Sequence, residues 1–296
     1  MSVPLPASFR SRTVDAGGVQ IHTVVGGAGP PVLLLHGYPQ THLIWHEVAP
    51  ALAAQHTVVL TDLRGYGDSG KPPPDTDDVY AKRAMAADQL AVMRALGFER
   101  FAVVGHDRGA RVGHRLALDA PDAVRALAVL DIVPTRHIYA HADKEFGLGY
   151  YHWFFLAAPN GIPERLLGAE PEFWVRTRMN ARHAGGRRPD EAAVREYVRC
   201  FADPAAIAAS CADYRAAAGV DLEQDEADAV AGNRVRCPLL ALWGARSFVG
   251  RTYDVLEVWR SYADDVSGQP LSADHYLPEE APDQVIAALL PFLAGG

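Results

Sequence analysis

Phe101-Ala102-Val103-Val104-Gly105-His106-Asp107-Arg108-Gly109-Ala110-Arg111 is the stretch that decides how this chain folds. Its apolar start predicts a buried strand, a Gly-flanked turn follows, and helix is expected from about Ala110 to Leu118. Gly105-His106-Asp107-Arg108-Gly109 has the G-x-S-x-G layout of a nucleophile elbow, with aspartate in the serine position. The glycines permit a tight turn. Such a turn lifts the central side chain to the strand's carboxyl end, where open α/β sheets bind ligands.

Outward from the elbow, strands and helices alternate. Val19 to Val25 and Val32 to Leu35 read as strands, and the second ends at the turn His36-Gly37-Tyr38-Pro39. Helix is expected from about Ile44 to Ala54, strand over Thr57 to Leu60, and helix from Tyr80 to Leu96, capped by Gly97. Val124 to Leu130 is a further strand, ending at Asp131. Alternation at this spacing predicts a mostly parallel sheet covered by helices on both faces. From Pro134 to about Arg234 the pattern changes to helix formers and aromatics, among them Tyr150, Tyr151, Trp153, Phe154 and Phe155. Strand returns at Leu239 to Trp243, and a terminal helix follows Pro278. The expected architecture is an α/β core over residues 1–134 and 235–296, carrying a helical cap over 135–234.

Aspartate at the elbow sets the chemistry. A carboxylate is already anionic at neutral pH and needs no base before it attacks. On an acyl carbon it would give a reactive anhydride; on a saturated carbon it gives a stable alkyl ester. Asp107 therefore favours displacement of a halide, or opening of an epoxide, followed by hydrolysis of the ester. His275, in Ser272-Ala273-Asp274-His275-Tyr276-Leu277-Pro278, is the expected general base for that water. Asp131 is the expected acid that fixes its tautomer, since Leu242-Trp243-Gly244-Ala245-Arg246-Ser247-Phe248 holds no carboxylate. The Tyr38 and Arg108 backbone N–H groups are the expected oxyanion hole.

Composition narrows the partners. The chain has 296 residues, 49% hydrophobic and 22% charged, enough for one large core with an insertion. Its three cysteines, Cys200, Cys211 and Cys237, form no C-x-x-C pair, so neither a disulfide framework nor a zinc site is expected. No apolar run suits a signal peptide or a membrane span, which gives a cytoplasmic expectation. A net charge of -8 without a basic block argues against nucleic acid. It also means that an anionic substrate must be held by a local cationic pocket. No metal or organic cofactor is expected.

These residues resemble the fluoroacetate dehalogenase branch of the α/β-hydrolases, and the resemblance spans most of the chain. His36-Gly37-Tyr38-Pro39-Gln40 and Asp62-Leu63-Arg64-Gly65-Tyr66-Gly67 are shared across the superfamily, as is the order nucleophile, acid, histidine. Sharper are Gly105 to Arg111, Tyr151-His152-Trp153 and Cys211-Ala212-Asp213-Tyr214-Arg215. The resemblance implies that Arg108 and Arg111 hold a substrate carboxylate, and that His152, Trp153 and Tyr214 bind the departing halide. It also implies a homodimer. Physical chemistry agrees with these roles: two arginines three apart share a helix face, guanidinium forks suit carboxylates, and fluoride needs dense N–H and O–H donors. Asp274, where many relatives carry Gly, and the irregular stretch Arg246 to Gly250 depart from the pattern.

The implied reaction converts fluoroacetate or chloroacetate to glycolate plus halide through an Asp107 ester. An epoxide hydrolase is the alternative; it would use Tyr150 or Tyr151 with Tyr214 as proton donors. A haloalkane dehalogenase typically has Trp where this chain has Arg108. A non-catalytic receptor would have little use for Asp107, Asp131 and His275 together. Preferred halogen and tolerance at the α-carbon stay open at this level.

Overall fold

The computed structural model describes residues 5–181 and 187–295. Eight strands form one sheet: β1 (Arg10–Asp15), β2 (Gln20–Gly26), β3 (Pro31–Leu35), β4 (Thr57–Thr61), β5 (Phe101–His106), β6 (Val124–Leu130), β7 (Leu239–Gly244) and β8 (Val266–Leu271). Their spatial order is β1-β2-β4-β3-β5-β6-β7-β8. β1 and β2 run antiparallel to their neighbours. Every pairing from β4 across to β8 is parallel.

The central strands are apolar on both sides because both faces are covered. Leu33, Leu35, Val59, Val103, Leu127, Val129 and Ala241 enter one core. Val32, Leu34, Val58, Leu60, Val104, Ala128 and Leu242 enter the other. This is the two-residue period of a strand divided between two helical layers. Helices Lys82–Ala95 and Arg108–Asp119 pack on the first face, and the C-terminal helix Pro282–Gly295 on the second. Each large aliphatic side chain buried this way contributes about 1.5–3 kcal/mol.

Two expectations are corrected in detail. The helix expected over Ile44 to Ala54 is a 3₁₀ turn, His42–Trp45, and a short helix, Ala49–Leu52. Pro50 explains the break: it cannot donate to the turn before it, so it sits in the first turn of a new helix. The helix expected to resume at Ala110 begins at Arg108, directly after the nucleophile.

Between β6 and β7 the described residues hold helices and no strand, from Thr135–Ala140 to Val220–Ala231. Trp153, Tyr214, Phe146 and Tyr197 are fully buried in this helical insert, at the carboxyl end of the sheet. No helix among the described residues is long and apolar enough to cross a membrane.

Candidate active site

β5 delivers Asp107 by a sharp turn. Asp107 has φ 48° and ψ -115°, a sparsely populated conformation for a non-glycine residue that costs of order 1–3 kcal/mol. The flanking glycines make the turn possible by close approach. A Cβ on Gly105 would lie 2.5 Å from Ala110 Cα, and one on Gly109 would lie 2.4 Å from the His36 carbonyl oxygen. Asp107 is the N-cap residue of helix Arg108–Asp119 and so stands at the positive end of that helix.

Asp107, Asp131 and His275, spread over most of the chain, meet at the ends of β5, β6 and the loop after β8. His275 Nδ1–H donates to Asp131 Oδ2 at 2.7 Å, and Nε2 stands 3.8 Å from Asp107 Oδ2. A carboxylate can only accept, so Nδ1 carries a proton, and Nε2 is the nitrogen turned toward Asp107. Asp131 Oδ1 accepts the Gly244 N–H at 3.0 Å, from the end of β7. The segment that lacks an acid thus holds the acid supplied by its neighbour. Asp131 is also left-handed, with φ 54°.

Tyr38 N–H donates to Asp107 Oδ1 at 2.9 Å. Oδ1 therefore sits where an oxyanion would form, and Oδ2 is the oxygen turned toward His275. The Arg108 amide opens the helix and carries no intrahelical obligation, as an oxyanion donor requires. Burial alone would raise the Asp107 pKa. The Arg108 guanidinium, the Tyr38 N–H and, when it is protonated, the His275 ring outweigh it and hold the carboxyl well below the ordinary range. Asp107 is ionised at any pH near neutrality.

Both arginines reach the site, but neither is the free fork that the sequence suggested. Arg108 is fully buried, and its Nε and Nη2 are committed to the Asp213 carboxylate. Asp213 in turn accepts from Tyr66 Oη at 2.6 Å and from Lys82 Nζ. Only Nη1 of Arg108 is left, buried and without a partner. Arg111 is anchored by Nη1 to the Val133 carbonyl and Thr135 Oγ1, both at 3.0 Å. Its buried Nε also has no partner, so of these two arginines Arg111 is the one that keeps an Nε/Nη2 edge for a ligand.

The aromatic residues close over these cations. The Arg108 guanidinium lies 4.2 Å from the Tyr214 ring centroid, and that of Arg111 lies 4.7 Å from the Trp153 ring. The His152 and Tyr214 rings are 5.8 Å apart, and those of Trp153 and Tyr214 are 6.0 Å apart. Trp153 Nε1 is buried without an acceptor. Burial, with the Asp107 charge nearby, pushes the Tyr214 phenol well above its ordinary pKa, so it remains a donor. The three residues expected around a halide are therefore gathered in one place beside the two arginines.

Several residues that shape the site were not read from the sequence. Asp213 lies in a quoted segment, but its role as the Arg108 partner depends on a contact 105 positions away. Trp174 donates from Nε1 to Tyr38 Oη at 2.6 Å, tying the helical insert to the oxyanion loop. His106 and Glu280 hold the backbone around His275, as described below. Two consecutive glutamates after Pro278 read simply as the first turn of a helix.

Among the described residues, His22, His42 and Asp62 lie close enough to share a metal ion. Asp62 is already engaged: Oδ1 accepts the His42 N–H and Nδ1, both at 2.8 Å, and Oδ2 accepts the Asp68 N–H at 3.0 Å. These bonds join the turn after β4 to the loop after β3.

Sheet order, elbow and triad are those of an α/β-hydrolase, and the alpha/beta hydrolase fold family matches residues 30–281. The chain belongs to that family. Along 97% of its length it is 43% identical to a fluoroacetate dehalogenase of Burkholderia sp, covering 94% of that protein. It is 34% identical to a soluble epoxide hydrolase of Corynebacterium sp. (strain C12), over 94% of each chain. A solved Pseudomonas aeruginosa mutant, carried under an epoxide hydrolase name and with bound MFA, superposes with a TM-score of 0.93. It is 49% identical, over 99% of this chain and 98% of its own.

Proposed function

We propose that this α/β-hydrolase is a hydrolytic dehalogenase of short 2-haloacids, with residues 135–234 acting as a cap over the core. The observation that carries the reading is a set of buried N–H donors without acceptors beside an ionised nucleophile: Arg108 Nη1, Arg111 Nε and Trp153 Nε1. A buried donor left unpaired costs about 1–3 kcal/mol, and more when charged. A haloacid supplies the missing acceptors, its carboxylate for the arginines and its halogen for Trp153. A neutral epoxide would leave both guanidinium groups unsatisfied. The identity to a fluoroacetate dehalogenase agrees with this choice. The epoxide alternative also needs two phenol donors: Tyr151 is 48% exposed, which leaves the buried Tyr150, beside His152, as the partner that reading would give Tyr214.

In this reading the Arg111 fork and Arg108 Nη1 hold the substrate carboxylate and aim the α-carbon at Asp107. Oδ2 attacks in line, the carbon–halogen bond breaks, and the halide leaves toward His152, Trp153 and Tyr214. Water then attacks Cγ of the ester while His275 Nε2 takes its proton. Charge develops on Oδ1, which the Tyr38 N–H already holds. Collapse releases the 2-hydroxyacid, carrying the former Oδ2, and His275 returns its proton to that alkoxide.

Halide-selective detection with fluoroacetate, chloroacetate and chloroacetamide tests the reading. Haloacetates should be turned over and the amide should be a poor substrate. Equal turnover of amide and acid would remove the arginines from substrate choice and sink the haloacid assignment. Arg111→Lys keeps the charge but loses the one open fork. Its kcat/KM for haloacetate should fall by at least about tenfold, equivalent to roughly 1.4 kcal/mol.

Trp153 gives a second prediction. Fluoride leaves poorly unless strong hydrogen bonds meet it, whereas chloride leaves more easily. Trp153→Phe keeps a ring above Arg111 but removes Nε1–H. It should depress defluorination more than dechlorination, measured as kcat/KM for the two haloacetates. Equal losses would mean that Trp153 only packs.

A further inference from the structure

We infer that Glu280 is a positioning residue for the general base: its carboxylate grips the chain on both sides of His275 and keeps the imidazole aimed at the Asp107 ester. The Asp274 N–H donates to Glu280 Oε2 and the Tyr276 N–H to Oε1, each at 2.8 Å. His106, the elbow residue before the nucleophile, donates from Nε2 to the His275 carbonyl at 2.8 Å. The backbone of the base is thus fixed from the far side by a carboxylate and from the near side by the strand that carries the nucleophile. With Nδ1 bound to Asp131, the ring has one aim left.

Both N–H bonds are strongest with Glu280 ionised. A carboxylate accepts strongly on each oxygen, whereas the hydroxyl oxygen of a protonated carboxyl is a weaker acceptor and loosens its hold on one of the two amides. The surroundings make that choice sensitive to pH. Asp274 and Asp131 face Glu280, and Glu279 adjoins it. Glu279 accepts from Gln40 and from Tyr197 of the helical insert, with Glu47 beyond it, and burial raises its own pKa to about 8, one step above that of Glu280. Burial, reinforced by the Asp274 and Asp131 charges and opposed by the two N–H bonds, raises the Glu280 pKa to about 7. His106 does not titrate in this range, since burial lowers its pKa to about 4.

The sign for stability is opposite to the sign for catalysis. A carboxyl whose folded pKa is raised contributes its stability below the unfolded value and loses it as pH rises through about 7. The ionised brace therefore costs stability while it orders His275. Glu280→Gln should be at least as stable as the parent at alkaline pH, yet a poorer catalyst there, a pairing that a residue acting only in packing would not give.

The inference rests on ester hydrolysis by Asp107 and His275, not on the identity of the substrate, and a substrate-free measurement keeps the two apart. In the full-length parent, the His275 Nδ1–H bonded to Asp131 should give a downfield proton resonance, assigned by its loss in His275→Asn. It should be sharp above pH 7. In Glu280→Gln it should be broadened at every pH, and in Glu280→Asp, which keeps the charge with a shorter reach, intermediate. With chloroacetate, Glu280→Gln should release its first halide at the parent rate but hydrolyse the ester roughly tenfold more slowly. Its pH profile for that step should lose the proton dependence that Glu280 contributes. A resonance that stays sharp in both variants, or a hydrolysis profile that keeps the parent's steepness in Glu280→Gln, would overturn the inference. A parent that releases no halide, while the resonance behaves as stated, would instead remove only the haloacid reading.

Discussion

Asp107→Asn is expected to lower multiple-turnover halide release by at least about ten-thousandfold, the scale seen when a covalent nucleophile is removed. The amide matches the carboxylate in shape, and the Tyr38 N–H can still donate to its oxygen, so the elbow should stay folded. What is lost is the anion. Its readiness comes from the site: Arg108, the Tyr38 N–H and a protonated His275 oppose the burial that would otherwise protonate it. Because Asp107 stays ionised well below neutrality, acid should not silence alkylation near pH 5 or 6, and any acid loss of turnover there must come from the hydrolytic half. Parent enzyme in excess over haloacetate, in heavy-oxygen water, should take label into the Asp107 carboxylate during one turnover. Label confined to the hydroxyacid would mean direct attack by water, and the covalent mechanism would fail.

The elbow was legible because its geometry is local, and Asp131 and His275 because each stands at a local signal, although their meeting is not local. Gly105 and Gly109 announce a close approach, a buried strand precedes them, and a helix follows. Asp131 and His275 each end a strand-like run or precede the last helix. Contacts across the fold were not legible. Nothing in the order Ala212-Asp213-Tyr214 says that the aspartate turns toward Arg108 and consumes the fork that the sequence offers a substrate. The correction alters the chemistry: the carboxylate clamp is asymmetric, with Arg111 presenting an edge and Arg108 a single N–H.

The missed strands have a similar cause. β1 is largely exposed, and Arg-Ser-Arg-Thr carries no apolar alternation. β8 contains Gly268 and Pro270 and pairs on one side only. Edge strands need no apolar pattern on both faces, so they leave weak marks in a sequence. The helix misread over Ile44 to Ala54 had a local signal in Pro50, which apolar periodicity outweighed.

His275→Asn should separate the two halves of the reaction. Alkylation needs Asp107, the arginines and the halide donors, and none of these depends on the imidazole as a base. Hydrolysis needs a lone pair to take the proton from water as it attacks Cγ, and the Asn amide nitrogen offers none. The first turnover should therefore release close to one halide per site, after which release should nearly stop. The remaining hydrolysis should be slower by a factor of about 10² to 10⁴, the usual worth of a positioned general base. The alkylated enzyme should accumulate, and mass spectrometry of the intact chain and of the Asp107 peptide should find the added carboxymethyl group on that residue. The loop should survive the change, since Glu280 and His106 grip the backbone rather than the ring. Two outcomes would count against the assignment. Steady turnover at the parent rate would remove His275 from the site. Loss of the initial halide burst, with no adduct on Asp107, would place the imidazole in the alkylation step, where its Nε2, 3.8 Å from Oδ2, would have to steer the nucleophile rather than activate water.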